Sequence, residues 1–100
     1  MLKHVVCFKL KDPSPAACEK ARDTLLSMKG KVPHIRGISV GIDLLHSDRS
    51  YDLILEVWLD DVAALEAYQK DPYHCSVVKP YMHAVRETSV AVDYPVAAAE

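Results

Sequence analysis

The order in which this chain switches between two hydrophobic rhythms restricts its fold more than any other feature. Leu2, His4, Val6, Phe8 and Leu10 alternate with Lys3, Val5, Cys7, Lys9 and Lys11, a period of two that predicts a strand. Asp12-Pro13 ends it. Ser14 is suited to cap a helix whose first position is Pro15, where a missing N–H costs nothing. Cys18, Ala21, Leu25 and Met28 then recur at steps of three and four, one apolar stripe of a helix that Gly30 should stop. A second strand places Ile38, Val40, Ile42 and Leu44 on one face. After the polar turn from His46 to Ser50, a third, about Asp52 to Leu59, carries Leu53, Leu55, Val57 and Leu59 on one side and Ile54, Glu56 and Trp58 on the other.

Asp60 or Asp61 can cap a helix bearing Val62, Leu65 and Tyr68. Asp71-Pro72 repeats the cap-then-proline signal, so a short second helical segment is expected from Pro72 towards Tyr81. The last strand, roughly Arg86 to Tyr94, alternates Thr88, Val90, Val92 and Tyr94 with Glu87, Ser89, Ala91 and Asp93. The resulting order, β-α-β-β-α-β, predicts a ferredoxin-like α+β domain: a four-stranded antiparallel sheet with both helices on one face. The domain is expected over residues 1–95, with a loose tail over 96–100.

Composition narrows the partners. The 100 residues suffice for a single core, and half of them are hydrophobic. A net charge of −2 without a basic stripe argues against nucleic acid, and the apolar run at the start is too short for a membrane span. Cys7, Cys18 and Cys75 form an odd set without a C-x-x-C pair, as expected of a reduced, cytoplasmic chain. His4, His34, His46, His74 and His83 include no i, i+3 or i, i+4 pair, so no metal site is predicted.

Two helices cover one side of such a sheet, and the other side should be polar if it faces water. Here it is expected to carry Val5, Cys7, Ile54, Trp58 and Ala91, a grouping that predicts a homodimer packed sheet against sheet. Scattered surface apolars on a monomer are the plainer alternative.

The stretch from Glu66 to His74 carries the chemistry. Tyr68 ends one helix, His74 begins the next, and a phenol beside an imidazole is the minimum for metal-free acid–base work. His74 falls in the first turn of its helix, whose positive end disfavours imidazolium. Tyr68, one turn after Leu65, lies on the buried face, where its hydroxyl needs a partner. His4 shares a face with Leu2, Val6 and Phe8, where a histidine is more often a satisfied core residue than a catalyst. Cys75 turns about 100° away from His74. Tyr51 and Tyr81 read as rim or packing residues. Asp43, Glu56 and Asp93 are expected on the face opposite the pocket and receive no chemistry.

These residues resemble the stress-responsive A/B barrel (Dabb) family. The likeness runs from the first strand, Lys3 to Lys11, through Gly41, Tyr51-Asp52-Leu53, Tyr68 and Pro72-x-His74 to Val92-Asp93-Tyr94, nearly the whole chain. The resemblance implies a dimeric α/β barrel and a relation to plant polyketide cyclases of the olivetolic acid cyclase type. Those close a linear β-polyketide acid by an intramolecular aldol step and use no cofactor. It implies Tyr68 and His74 as catalytic residues, with His4 in the same cavity. Leu53 stands where such cyclases have a third-strand histidine, which makes this pocket less polar. Phe8 and Leu53 would line the substrate site. Some relatives also hold a cation on backbone carbonyls after the first helix, here Lys29 to Ile35. The function expected is a cofactor-free cyclase, isomerase or lyase acting on a keto or polyketide-like acid. A non-catalytic small-molecule-binding or stress-associated protein is the alternative.

Overall fold

Strand β1 (Leu2–Leu10) occupies an inner position in a four-stranded sheet of order β2-β3-β1-β4, with every neighbouring pair antiparallel. The structure, a computed structural model, describes residues 1–98. The elements follow as α1 (Pro15–Leu26), β2 (Gly37–Ile42), β3 (Leu53–Leu59), α2 (Val62–Lys70), a π-helical turn (His74–Val78), α3 (Lys79–Val85) and β4 (Arg86–Pro95). This is the ferredoxin-like α+β arrangement that the hydrophobic rhythm predicts.

Local chemistry accounts for the helix starts. Ser14 Oγ accepts from the Ala17 N–H with Pro15 at the first helical position, and Asp61 caps α2 by accepting from the Ala64 N–H at 2.8 Å. Cys18, Ala21, Leu25 and Met28 are buried against Phe8, Leu53, Leu55 and Val57, which all project from the helix-covered side of the sheet. Gly30 takes the left-handed conformation (φ 80°) in the turn after α1.

Several boundaries differ from expectation. Strand β2 stops at Ile42 because the Asp43 carboxylate accepts from the His46 N–H at 2.7 Å and turns the chain, leaving Leu44 in a loop at 86% exposure. Val62, at the first position of α2, is exposed rather than part of the apolar stripe. The helical path from Pro72 runs on to Val85 and contains the π-helical turn, in which the Lys79 N–H reaches the His74 carbonyl five residues back. Pro80 follows at once and supplies no N–H to the carbonyl four residues before it, so a regular α ladder cannot pass through this point. At the end of the domain, Val96 N–H donates to the Met1 carbonyl at 2.8 Å, which ties down the first residue of the expected tail. Of that tail, residues 99 and 100 lie outside the described residues.

The open face also needs correction. Pairing of Val6 with Ala91 and of His4 with Asp93 turns Ala91 and Asp93 towards the helices, while Val90 and Val92 come out beside Cys7 and Val5. Trp58 belongs to the open face but is only 4% exposed. It sits next to Gly37, which leaves room for the ring, and under Lys3, whose ammonium lies 4.8 Å from the ring centre and pairs with Glu56. The apolar residues left on that face are Val5, Cys7, Ile54, Val90 and Val92, with Tyr94 at its edge. Among the described residues no helix is long and apolar enough to cross a membrane.

Candidate functional site

Between the sheet and the α2–α3 segment lies a cavity of about 240 Å³. His4, Val6 and Phe8 reach it from β1, Leu55 from β3 and Ala91 from β4, while Tyr68 and His74 close it from the helical side. Phe8 therefore stands where the sequence puts it. Leu53 does not: it is buried in the core, and Leu55, one pleat further along the strand, holds the place on the cavity wall.

Tyr68 is fully buried (0% exposed), and its hydroxyl has no hydrogen-bond partner among the described residues. The two histidines flank its ring. His74 lies 4.3 Å away between ring centres with planes tilted by 35°, and His4 meets it edge-on at 5.6 Å and 63°. The three rings come from β1, the last turn of α2 and the start of the π-helical turn, so sequence neighbours bring two of them and the sheet brings the third.

The orientation of His74 follows from the end of α2. Carbonyls in the last turn of a helix have no partner within it. The Tyr68 carbonyl is one of these: it accepts from the Asp71 N–H just past the helix at 3.3 Å, and it also lies 2.9 Å from His74 Nδ1. A carbonyl only accepts, so Nδ1 carries the hydrogen and Nε2 is left with its lone pair free. The backbone beneath is fixed by Asp71, whose Oδ1 accepts from the N–H groups of Tyr73 (2.9 Å) and His74 (3.2 Å). Tyr73 in turn anchors the segment to α1 by donating its hydroxyl hydrogen to Ser27 Oγ at 2.7 Å.

Burial is the main cause that lowers the proton affinity of His74, and the nearby Lys79 and His4 act in the same direction. The Tyr68 carbonyl and Asp71 oppose it. Helix polarity, the cause expected from sequence, is not among these causes. Burial alone pushes the Tyr68 phenol well above the ordinary tyrosine range, so it remains a hydrogen donor. The pair thus holds a neutral base and a protonated acid side by side.

His4 is not an isolated core histidine. Its Nδ1 hydrogen-bonds the Asp93 carboxylate, which fixes the ring and leaves Nε2 free. Sequence reasoning missed Asp93 because alternation alone gave the face of β4 the wrong parity, and nothing in the sequence fixes the register that pairs His4 with Asp93. Cys75 is exposed, as its helical angle predicts. Tyr81 and Tyr51 lie outside this cavity, each near a lysine ammonium. Among the described residues no three His, Cys, Asp or Glu side chains are grouped to hold a metal ion. In the loop 29–35 the Val32 carbonyl accepts from the Ile35 N–H, and Lys29 and Lys31 flank it.

Residues 2–96 match the family described as the stress responsive A/B barrel domain. No curated protein matches the chain. Among solved structures, a dimeric protein of unknown function with a ferredoxin-like fold from Bacteroides fragilis is 23% identical, with a TM-score of 0.79 and 95% of each chain covered. An Arabidopsis thaliana protein is 18% identical at a TM-score of 0.83, over 100% of this chain and 99% of that one. A Dabb family protein with a ferredoxin-like fold from Mesorhizobium loti is 24% identical at a TM-score of 0.70, over 97% of both chains. At these identities the likeness concerns the fold.

Proposed function

Because this chain belongs to the stress responsive A/B barrel family, we propose that its cavity carries out cofactor-free acid–base chemistry on a keto or polyketide-like acid. His74 Nε2 removes a proton beside the substrate carbonyl, and the Tyr68 hydroxyl donates to the enolate oxygen as charge develops there. His4, steadied by Asp93, contacts the substrate from the sheet side. The enolate then attacks a second carbonyl in an aldol closure or is reprotonated in an isomerisation. In a lyase step His74 Nε2 instead takes the proton of a β-hydroxyl, whose carbon becomes a carbonyl as the carbon–carbon bond breaks and the enolate leaves.

One observation carries this reading: the Tyr68 hydroxyl is buried without a partner beside an imidazole whose free nitrogen is set by a backbone carbonyl. A purely structural tyrosine would bond its hydroxyl to a neighbour, since an unsatisfied buried donor costs about 1–3 kcal/mol. A ligand oxygen is the missing acceptor.

The test is hydrogen–deuterium exchange at carbons next to the carbonyl, followed by proton NMR in heavy water on short oxo acids. Wild type should accelerate exchange, and His74→Ala and Tyr68→Phe should not. Tyr68→Phe removes the unpaired hydroxyl, so it should also hold or raise stability, by up to about 1 kcal/mol. Binding without accelerated exchange would favour the non-catalytic ligand-binding alternative. Equal exchange in all three proteins would overturn the assignment.

The open face supports a second, structural proposal. Val90 and Val92 are half exposed or more and stand beside half-buried Val5, Cys7 and Ile54. Apolar residues clustered on one side of a sheet are suited to a second copy of the chain. The proposed assembly is a homodimer, as the Bacteroides fragilis protein is described to be. Trp58 supports this face from below and contributes little to its outer surface.

A further inference from the structure

Strand β4 enters the sheet through an irregularity. Thr88 pairs with Lys9 and Arg86 with Leu10, so two steps along β4 match a single step along β1 and Glu87 is the extra residue. Strict alternation from Thr88 would turn Arg86 to the open face. The bulge turns it instead to the side of Leu10, which is buried beneath the helices, and Arg86 becomes part of the cavity wall.

Once there, the guanidinium is incompletely satisfied. Nη1–H donates to Ser89 Oγ at 2.9 Å, and Ser89 is itself on the wall. Nε is buried and has no hydrogen-bond partner. A guanidinium carries five N–H donors and is always charged, so a buried, idle N–H beside a cavity requires explanation. Lys79 is a second basic side chain on the same wall, and it donates to the neutral Gln69 carbonyl at 2.6 Å. Among the described residues neither Arg86 nor Lys79 is paired with a carboxylate, whereas Lys3, Arg22 and Arg36 are. Asp93, the carboxylate on the same face of β4, is already bonded to His4. A chain of net charge −2 has therefore gathered two uncompensated positive charges at one apolar cavity.

We propose that Arg86 is the specificity-determining residue of this cavity and binds the carboxylate of the ligand through Nε and the adjacent Nη, with Lys79 adding its charge. Nε and Nη form the edge of the guanidinium that matches a carboxylate through two parallel hydrogen bonds. The rest of the wall includes Val6, Phe8, Leu25, Leu55 and Val78, so the body of the ligand is apolar. At about 240 Å³ the space, open on one side, takes the acid end of the ligand together with a short apolar stretch. The proposal deepens the acid–base reading and rests on it for the end of the ligand that reacts. The carboxylate contact stands on the Arg86 geometry.

The experiment uses 5-oxohexanoate and its neutral amide, titrated against wild type, Arg86→Gln and Arg86→Lys and followed by amide chemical shifts. Wild type should bind the acid about tenfold or more tightly than the amide, the scale of one charge-assisted contact. Arg86→Gln should bring acid and amide to the same affinity with its melting temperature kept. Arg86→Lys should recover part of the preference, since it restores charge without the fork. Equal affinity of wild type for acid and amide, including failure of both to bind at millimolar concentration, overturns the proposal. So does an acid preference that survives Arg86→Gln. Exchange next to the carbonyl separates the two readings. Acid preference lost in Arg86→Gln, with no accelerated exchange in any protein, upholds this subsite and removes the catalytic role. Accelerated exchange with the same KM in wild type and Arg86→Gln does the reverse.

Discussion

His74 is held neutral by its surroundings, and that has a thermodynamic consequence apart from any reaction. Its proton affinity in the fold lies below the usual value because the ring is buried and faces Lys79 and His4, with Asp71 and the Tyr68 carbonyl only partly offsetting them. In the unfolded chain a histidine titrates near about 6.5. As pH falls through that value the unfolded chain takes up a proton before the fold does, so stability decreases with falling pH until the folded ring is itself protonated. His74→Asn removes the titration and can still donate to the Tyr68 carbonyl. Urea midpoints at pH about 7.5 and about 5.5 should therefore differ less for His74→Asn than for wild type. An equal difference in the two proteins would show that His74 does not carry the effect. Tyr68 and His74 are legible in the sequence because α2 ends and the next segment begins within six residues. Asp93 and Arg86 are not, because their roles depend on which face of β4 they occupy.

Asp71 sets the position of the imidazole at the level of the element. It caps the helical path that begins at Pro72, with one carboxylate oxygen accepting from both Tyr73 and His74. Asp71→Ala leaves those two N–H groups without that acceptor and should cost about 1 kcal/mol, or roughly 4–8 °C in Tm for a domain of this size. Asp71→Asn should recover most of it, and thermal melts of the three proteins measure both. Identical melts for wild type and Asp71→Ala would show the cap to be dispensable. The element order was readable throughout, since period-two and helical stripes in a 100-residue chain leave few arrangements. The π-helical turn was not. Pro80 in the sequence signals a disturbance of the ladder, but nothing in its neighbours says whether the helix will break, kink or widen there. The bulge at Glu87 has no marker such as glycine, and it reverses the facing of every residue assigned by alternation on one side of it.

For the molecule as a whole, the open sheet face is where the dimer proposal places the second copy. Val92, 62% exposed between Val90 and Tyr94, is the residue whose charge would be felt there most directly. Val92→Lys should leave the fold intact, because the side chain reaches solvent in a single chain, and should abolish dimerisation. Sedimentation at micromolar concentration should give twice the chain mass for wild type and the single mass for the variant. A wild-type monomer would remove the dimer proposal. The pairing of β1 with β4 has a different kind of consequence. His4 and Asp93 are joined across 89 positions of sequence, and Leu2 pairs with Pro95. Contacts between the two ends of a chain are the slowest to close, because they require the largest loop. Tyr68 and His74 can meet early, and His4 can join them when β1 pairs with β3, but its Asp93 partner and Arg86 arrive only when the last strand docks. During synthesis, the cavity therefore comes into being after nearly all of the domain has left the ribosome, and a truncated or stalled chain carries Tyr68 and His74 without the wall that the last strand completes.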